Sequence, residues 1–139
     1  MEDNRKENLI VSLTLEFAIE IVKYCDILEE KRKYVIAKQL LKSGTSIGAN
    51  VRESQNAESK PDFIHKFKIA AKEAEETEYW LLICKRSAGY PEVDTLMESL
   101  KSIQRVINKI IATSKRLSAH RLIIKSTNHA SHSRHRIFL

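Results

Sequence analysis

The chain has 139 residues, which is enough for one domain with its own apolar core. Three glycines and two prolines are few for an all-β fold, because such folds need many tight turns. Basic residues exceed acidic ones, giving a formal net charge of +6. No run of about 18 uncharged apolar residues exists, which argues against a membrane span. We expect a helical protein of the cytoplasm.

The first apolar pattern predicts an amphipathic helix over residues 8–29. Its main line follows three- and four-residue steps: Leu9, Leu13, Phe17, Ile21, Tyr24 and Leu28. A second series lies off that line: Val11, Leu15, Ala18, Ile19 and Val22. Because one apolar stripe suffices inside a small bundle, we expect a partner subunit to cover the second face.

A second helix is predicted over residues 32–57, although it contains the unusual stretch SGTSIGANVRE at residues 43–53. The stretch does not match the motif of a phosphate-binding loop. Gly44 and Gly48 are one residue closer than the glycines of a P-loop, and no Lys-Ser or Lys-Thr follows Gly48.

We interpret the stretch instead as a helix face that is kept thin. Each glycine costs about 1 kcal/mol in a helix interior, so close packing on their shared face must offset that cost. We expect Ser43, Thr45 and Ser46 to bond to carbonyls of the preceding turn, and Asn50 to bond across to a neighbouring helix. The packing partner is either another helix of this chain or a second subunit.

Two more helices follow, at residues 61–88 and 92–117. Ser59, Pro61 and Asp62 suit the start of the third helix, and Gly89 suits its end. Tyr79 and Trp80 on this helix are expected to divide between the core and an interface. The fourth helix has the most regular apolar stripe of the chain: Val93, Leu96, Met97, Leu100, Ile103, Ile107, Ile110, Ile111 and Leu117.

These elements predict an all-α fold, an antiparallel up-down-up-down four-helix bundle over residues 1–118. Residues 119–139 are predicted to form a basic, flexible C-terminal tail, a prediction that allows the fourth helix to persist to about residue 125. The tail region carries the net charge of the chain, since residues 115–139 contain six bases and no acid. The bases are Lys115, Arg116, Arg121, Lys125, Arg134 and Arg136.

Such charges neutralise phosphates by releasing counterions, so we expect these six residues to bind RNA or DNA. An anionic membrane suits the tail less well, because no basic amphipathic helix is evident. His129, His132 and His135 would bind a metal only if they became ordered. The lone Asp62-x-x-His65 pair lacks the second copy that a di-iron bundle needs. We therefore expect no metal, no cofactor, no small-molecule substrate and no catalytic residue.

Cys25 and Cys84 lie far apart in the sequence, each beside apolar residues. We expect buried free thiols, with a disulfide or a metal pair as the alternatives.

Three stretches resemble a known family: Ser46-Ile47-Gly48-Ala49-Asn50-Val51-x-Glu53, then Asp62-Phe63, then Ala70 through Glu76-Thr77-Glu78-Tyr79-Trp80-Leu81. They resemble the four-helix-bundle proteins encoded in intervening sequences of bacterial large-subunit ribosomal RNA genes. The resemblance covers roughly residues 8–118. It implies a homopentameric barrel and kinship with the accessory protein of diversity-generating retroelements, which binds nucleic acid and a reverse transcriptase. It also implies structural roles for Ser46, Ile47, Asn50 and Glu53, and it supplies no enzymatic activity to carry over to this chain.

The sequence thus predicts a non-enzymatic, oligomeric bundle that binds RNA or DNA. A protein-interaction scaffold that binds no nucleic acid is the alternative.

Overall fold

The computed structural model describes the backbone of residues 2–137 and the side chains of residues 9–128. Four helices account for this part of the chain: α1 (Glu2–Glu30), α2 (Tyr34–Ser54), α3 (Lys60–Arg86) and α4 (Asp94–Ile137). No strand is present within residues 2–137. The prediction of an all-α protein is confirmed.

The helices are arranged as an up-down-up-down bundle. Consecutive helices pack against each other and α4 packs back against α1, whereas the diagonal pairs make no close backbone contact within the described residues. Short connections force neighbouring helices to run antiparallel. The predicted bundle is therefore confirmed, and its core lies along the central axis between the four helices.

The α1–α2 connection forms without glycine or proline. Arg32 has a positive φ of 61°. The backbone N–H of Lys33 donates to the carbonyl of Leu28 at 2.8 Å, and that of Arg32 donates to the carbonyl of Glu29 at 2.9 Å. This pair of bonds is a Schellman motif, in which glycine usually holds the left-handed position.

The start of α3 matches the expectation. The hydroxyl of Ser59 accepts a bond from the backbone N–H of Asp62 at 3.2 Å, and Pro61 lies in the first turn. The helix ends at Arg86, two residues before the predicted end, and Gly89 has a φ of 83° in the turn that follows. Glycine adopts this conformation without the steric cost that a side chain would add.

The glycine-bearing stretch of α2 winds as continuous helix, as predicted. A methyl group added to Gly44 would lie 2.9 Å from Cγ2 of Ile21 on α1. One added to Gly48 would lie 3.2 Å from the backbone carbonyl oxygen of Thr14. The missing side chains therefore let α1 and α2 approach closely, and the packing partner is a helix of the same chain.

The polar residues of this stretch mostly bond as expected. Ser43, Thr45 and Ser46 donate to the carbonyls of Leu40, Leu41 and Lys42 at 3.4, 2.6 and 2.6 Å respectively. These bonds satisfy the hydroxyl groups within their own helix. Ile47, on the core side of the same turn, is fully buried.

The expectation for Asn50 is wrong. Its side-chain amide donates to the carbonyl of Ser46 on the same helix at 2.9 Å, not to a neighbouring helix. One helical turn separates the two residues, so the local acceptor is already in reach. Polar contacts from this stretch to α3 come instead from Glu53, whose carboxylate lies 2.8 Å from the ammonium of Lys66, and from Ser43, whose hydroxyl oxygen lies 3.0 Å from that of Thr77.

Helix α4 extends further than predicted. It continues through Ile137, beyond the predicted end near residue 117 and beyond the allowed continuation to about residue 125. Among the described side chains of α4 the last buried one is Ser114, so this packed part ends close to the predicted boundary. The extension contains no proline or glycine, which leaves the helix nothing local to stop it. The division of the chain into a bundle over 1–118 and a tail over 119–139 stays a prediction.

Candidate nucleic-acid interface

Helix α4 carries only basic charge after Glu98. Residues 99–139 contain no aspartate or glutamate, whereas residues 1–98 hold 15 bases against 18 acids. The bases after Glu98 are Lys101, Arg105, Lys109, Lys115, Arg116, Arg121, Lys125, Arg134 and Arg136. The acid-free segment thus begins inside the packed bundle, not after it.

Three of these bases, Lys101, Arg105 and Lys109, form a row on the packed part of α4. They are exposed and follow one another at four-residue steps. With Arg116 they fall within an arc of about 80° on the helix, and the row is about 22 Å long at 1.5 Å per residue. We call these four residues the α4 stripe. It points away from the core, because the buried residues of α4 lie on the opposite side.

No base of the α4 stripe forms an ion pair with a carboxylate of the described residues. Among the described side chains, the ion pairs are Lys23–Glu20, Lys66–Glu53 and Lys85–Asp94. None of them involves a base that follows Glu98. The positive charge therefore faces solvent, where it attracts an external polyanion.

The structure places the predicted binding residues on α4 but not on one face. Lys115, Arg116, Arg121 and Lys125 are all exposed. Counting about 100° per residue, Arg121 and Lys125 lie roughly 200–240° from Lys101, on the opposite side of the helix. Both are accessible because α4 has left the bundle at that point. The side chains of Arg134 and Arg136 lie outside the described ones.

The extension also exposes apolar side chains, namely Leu117, Leu122, Ile123 and Ile124. At about 100° per residue they are distributed around the helix and form no stripe. A helix with this pattern presents no single apolar face to a bundle.

The described residues offer no metal site or reactive thiol. Among them, no three His, Cys, Asp or Glu side chains cluster as metal ligands would, and the side chains of His129, His132 and His135 lie outside the described ones. Burial raises the pKa of Cys25 to about 12, and burial also raises the pKa of Cys84. Both thiols are therefore protonated and poor nucleophiles at neutral pH.

A disulfide between the two cysteines does not fit this fold. Cys25 lies on α1 and Cys84 on α3, and no Cα atoms of these two helices come within 8 Å of each other in the described residues. A disulfide needs a Cα separation below about 7 Å. Both cysteines are buried and free.

Sequence reasoning missed Lys101, Arg105 and Lys109. Residues 1–114 hold 18 bases and 18 acids, so their net charge is zero. This sum hid the three bases, because it combines the slightly acidic residues 1–98 with the first part of the acid-free segment. The signal was present in the absence of any acid after Glu98.

Tyr79 and Trp80 divide as expected in burial, since Trp80 packs against the core and Tyr79 is exposed.

The helices within the described residues include none that is long and apolar enough to cross a membrane.

Comparison with known proteins agrees with this architecture. Residues 6–112 match the family of 23S rRNA-intervening sequence proteins. A crystal structure of a protein with unknown function from the S23 ribosomal protein family of Bacteroides thetaiotaomicron is similar to this chain with a TM-score of 0.74. The two sequences are 41% identical, and the match covers 77% of this chain and 98% of the other. No curated protein shows significant similarity.

The family match includes Lys101, Arg105 and Lys109, and it ends before Lys115. The resemblance inferred from the motifs of α2 and α3 is confirmed by both comparisons. This chain belongs to the 23S rRNA-intervening sequence protein family.

Proposed function

We propose that this chain is a non-enzymatic, oligomeric bundle that binds RNA or DNA through α4, as part of a nucleoprotein assembly. One observation carries the proposal. The outward face of α4 presents a row of cations with no carboxylate partner among the described residues. The free, buried thiols suit a reducing compartment such as the cytoplasm.

The chemistry of the row suits the phosphate backbone. Each cation that contacts a phosphate releases condensed counterions, so binding weakens as salt rises, by a slope of about 0.7–0.9 per contact on a logarithmic scale. Such contacts carry no sequence information by themselves. The proposed target is therefore defined by its charge and shape.

The test is binding of a structured RNA and a DNA duplex, measured by fluorescence anisotropy over a range of salt concentrations. We expect affinity to fall steeply with salt. Deleting residues 119–139 removes four bases, and we expect the slope to fall by about 3. No binding by the intact chain at low salt would overturn the proposal. An unchanged slope in the deletion variant would remove the extension from the interface.

We also propose that the chain forms a homo-oligomer, a pentamer by its resemblance to the family. The second face of α1 supports this, because Leu15, Ile19 and Val22 are 49%, 47% and 41% exposed in the single chain. Val11 and Ala18 flank them, half-buried at the α1–α2 groove. A continuous apolar surface of this kind marks a contact with another molecule.

The oligomer can be tested by size-exclusion chromatography with light scattering. Ile19→Glu should dissociate it, because the substitution places a charge within the apolar face. Ile27→Glu is the matched control, since Ile27 is 41% exposed on the same helix but lies outside that face. A monomeric wild type would contradict the proposal, as would equal assembly of wild type and Ile19→Glu.

The same apolar face supports a second candidate, a scaffold that binds another protein and no nucleic acid. The two candidates differ in their salt dependence. A scaffold would retain its partner at high salt and would show no affinity for RNA or DNA at low salt.

A further inference from the structure

An open groove of about 440 Å³ lies where the first turns of α3 meet the end of the packed part of α4. This volume is within the range of about 300–1,000 Å³ usual for small-molecule sites. The groove is lined by Pro61, Ile64, His65, Lys68, Lys115 and Ser118.

The polar lining of the groove comes from both helices in matched pairs. His65 and Lys68 are three residues apart on α3, and Lys115 and Ser118 are three residues apart on α4. Residues at this spacing share a helix face, so each helix lines the groove with two side chains that can donate hydrogen bonds. Two of the four side chains carry a permanent positive charge at neutral pH.

No carboxylate lines this groove. Asp62 lies in the same first turns of α3 but does not line the groove, and its charge acts on Lys66. The pKa of Lys66 is raised by its hydrogen bond and charge interaction with Glu53, and further by Asp62. By contrast, the α3–α4 groove near Gln104 contains two glutamates, as does the α1–α4 groove. The groove at Lys115 is thus suited to an anion.

The remaining lining suits a nucleobase. Pro61 and Ile64 offer an apolar surface, and His65 has an aromatic ring on which a base can stack. A terminal phosphate monoester carries a charge of about −1.5 to −2 and three acceptor oxygens, more than an internal diester offers to several converging donors. We infer that the groove binds one nucleotide with a terminal phosphate, with Lys68 and Lys115 on the phosphate and His65 against the base.

The ligand is either a free nucleotide or the phosphorylated end of a strand. In the second case the inference rests on the proposed nucleic-acid binding, and the groove would locate a strand end beside the α4 stripe. If the ligand is a free nucleotide, the inference does not depend on the proposed nucleic-acid binding. The experiment therefore needs one arm for each source.

The strand-end arm is a competition measurement with the full chain. Unlabelled oligonucleotides of one sequence, with a 5′-phosphate, with a 3′-phosphate or with neither, displace a fluorescent oligonucleotide. We expect a phosphorylated end to compete about tenfold better than the unphosphorylated strand. Lys68→Met and Lys115→Met should abolish this preference. Lys72→Met is the control and should keep it, because Lys72 is exposed one turn further along α3 and does not line the groove.

The free-nucleotide arm is equilibrium dialysis with AMP, with adenosine as the matched ligand that lacks the phosphate. If AMP binds and adenosine does not, and if Lys115→Met abolishes AMP binding, the proposed site in the groove is supported. If the phosphorylated and unphosphorylated strands also compete equally, the ligand is a free nucleotide. Equal competition together with no AMP binding overturns the inference and leaves the proposed function intact. AMP binding without any affinity for oligonucleotides overturns the proposed function and leaves the groove.

Discussion

The glycine-bearing face of α2 and the outward face of α4 are both regular patterns along a helix, yet their origins differ. On α2, Gly44 and Gly48 lie against Ile21 and Thr14 of α1, where a single added methyl group would come too close. On α4, the side chains of Lys101 and its neighbours contact solvent. Packing explains the first pattern completely. No ion pair among the described side chains accounts for the second, whereas the proposed nucleic-acid partner would.

The largest effect that this comparison predicts is on α2. Gly44→Val and Gly48→Val should each lower the free energy of unfolding by about 1–3 kcal/mol, because the new side chain overpacks the contact with α1. Urea denaturation measures the change. Ala49→Val is the control, since Ala49 is exposed on the same helix and tests the cost of a β-branched residue alone. Equal losses at all three positions would contradict the close approach.

A pH-dependent loss of stability should also come from the packed interior. Cys25 has a pKa of about 12 when folded against a usual 9.0, so the folded state favours the protonated thiol. The contribution of the protonated Cys25 thiol to the free energy of unfolding is present in full below pH 9 and is lost as the pH rises towards 12. From pH 7 to 10 we expect a loss of about 1 kcal/mol from this group. Cys25→Ala should show a shallower pH dependence than wild type; identical slopes would refute the assignment.

An effect of similar size is expected at the buried hydroxyl pair between α2 and α3. The Thr77 hydroxyl oxygen lies 3.0 Å from that of Ser43 and 2.7 Å from the carbonyl oxygen of Glu73. Thr77→Val keeps the shape and should cost about 1 kcal/mol, because it leaves a buried acceptor without its partner. Combining it with Ser43→Ala should cost less than the sum of the single changes by about 0.5–1 kcal/mol. Strict additivity in urea denaturation would show that the pair is not coupled.

The smallest effect on stability is expected on α4. Replacing Lys101, Arg105 and Lys109 together by glutamine should change the free energy of unfolding by no more than about 0.5 kcal/mol per site, as is usual for exposed positions. A larger loss in urea denaturation would mean that the stripe has a structural role within the bundle. That result would weaken the contrast with α2.

The parts of the fold that follow from apolar periodicity were predictable. The unbroken α2 helix is an example, because the spacing of Leu40, Gly44, Ile47 and Val51 continues through the glycines. The end of α1 was predicted closely, but the Schellman motif that ends it was not. Glycine is the usual sequence signal for that motif, and here Arg32 holds the left-handed position. The partner of Asn50 was missed because an acceptor on its own helix was within reach.

The candidate site was predictable only in part. Composition identified the charge of the C-terminal segment, but it could not show that α4 continues as helix or that Arg121 lies opposite the α4 stripe. Those facts depend on the angular position of each residue around α4 and on the residue at which α4 stops packing against the bundle. The row at Lys101, Arg105 and Lys109 needed the phase of α4 relative to the core, since only that phase shows these bases to face outward.

The most direct test of the central claim compares the salt dependence of RNA binding in two triple variants. In one, Lys101, Arg105 and Lys109 are replaced by glutamine; in the other, the equally exposed Lys31, Lys38 and Lys42 are replaced. The overall charge is the same in both. We predict that the α4 variant alone loses affinity, with a slope of log affinity against log salt lower by about 2–3. Equal slopes in the two variants would contradict the claim that α4 binds nucleic acid.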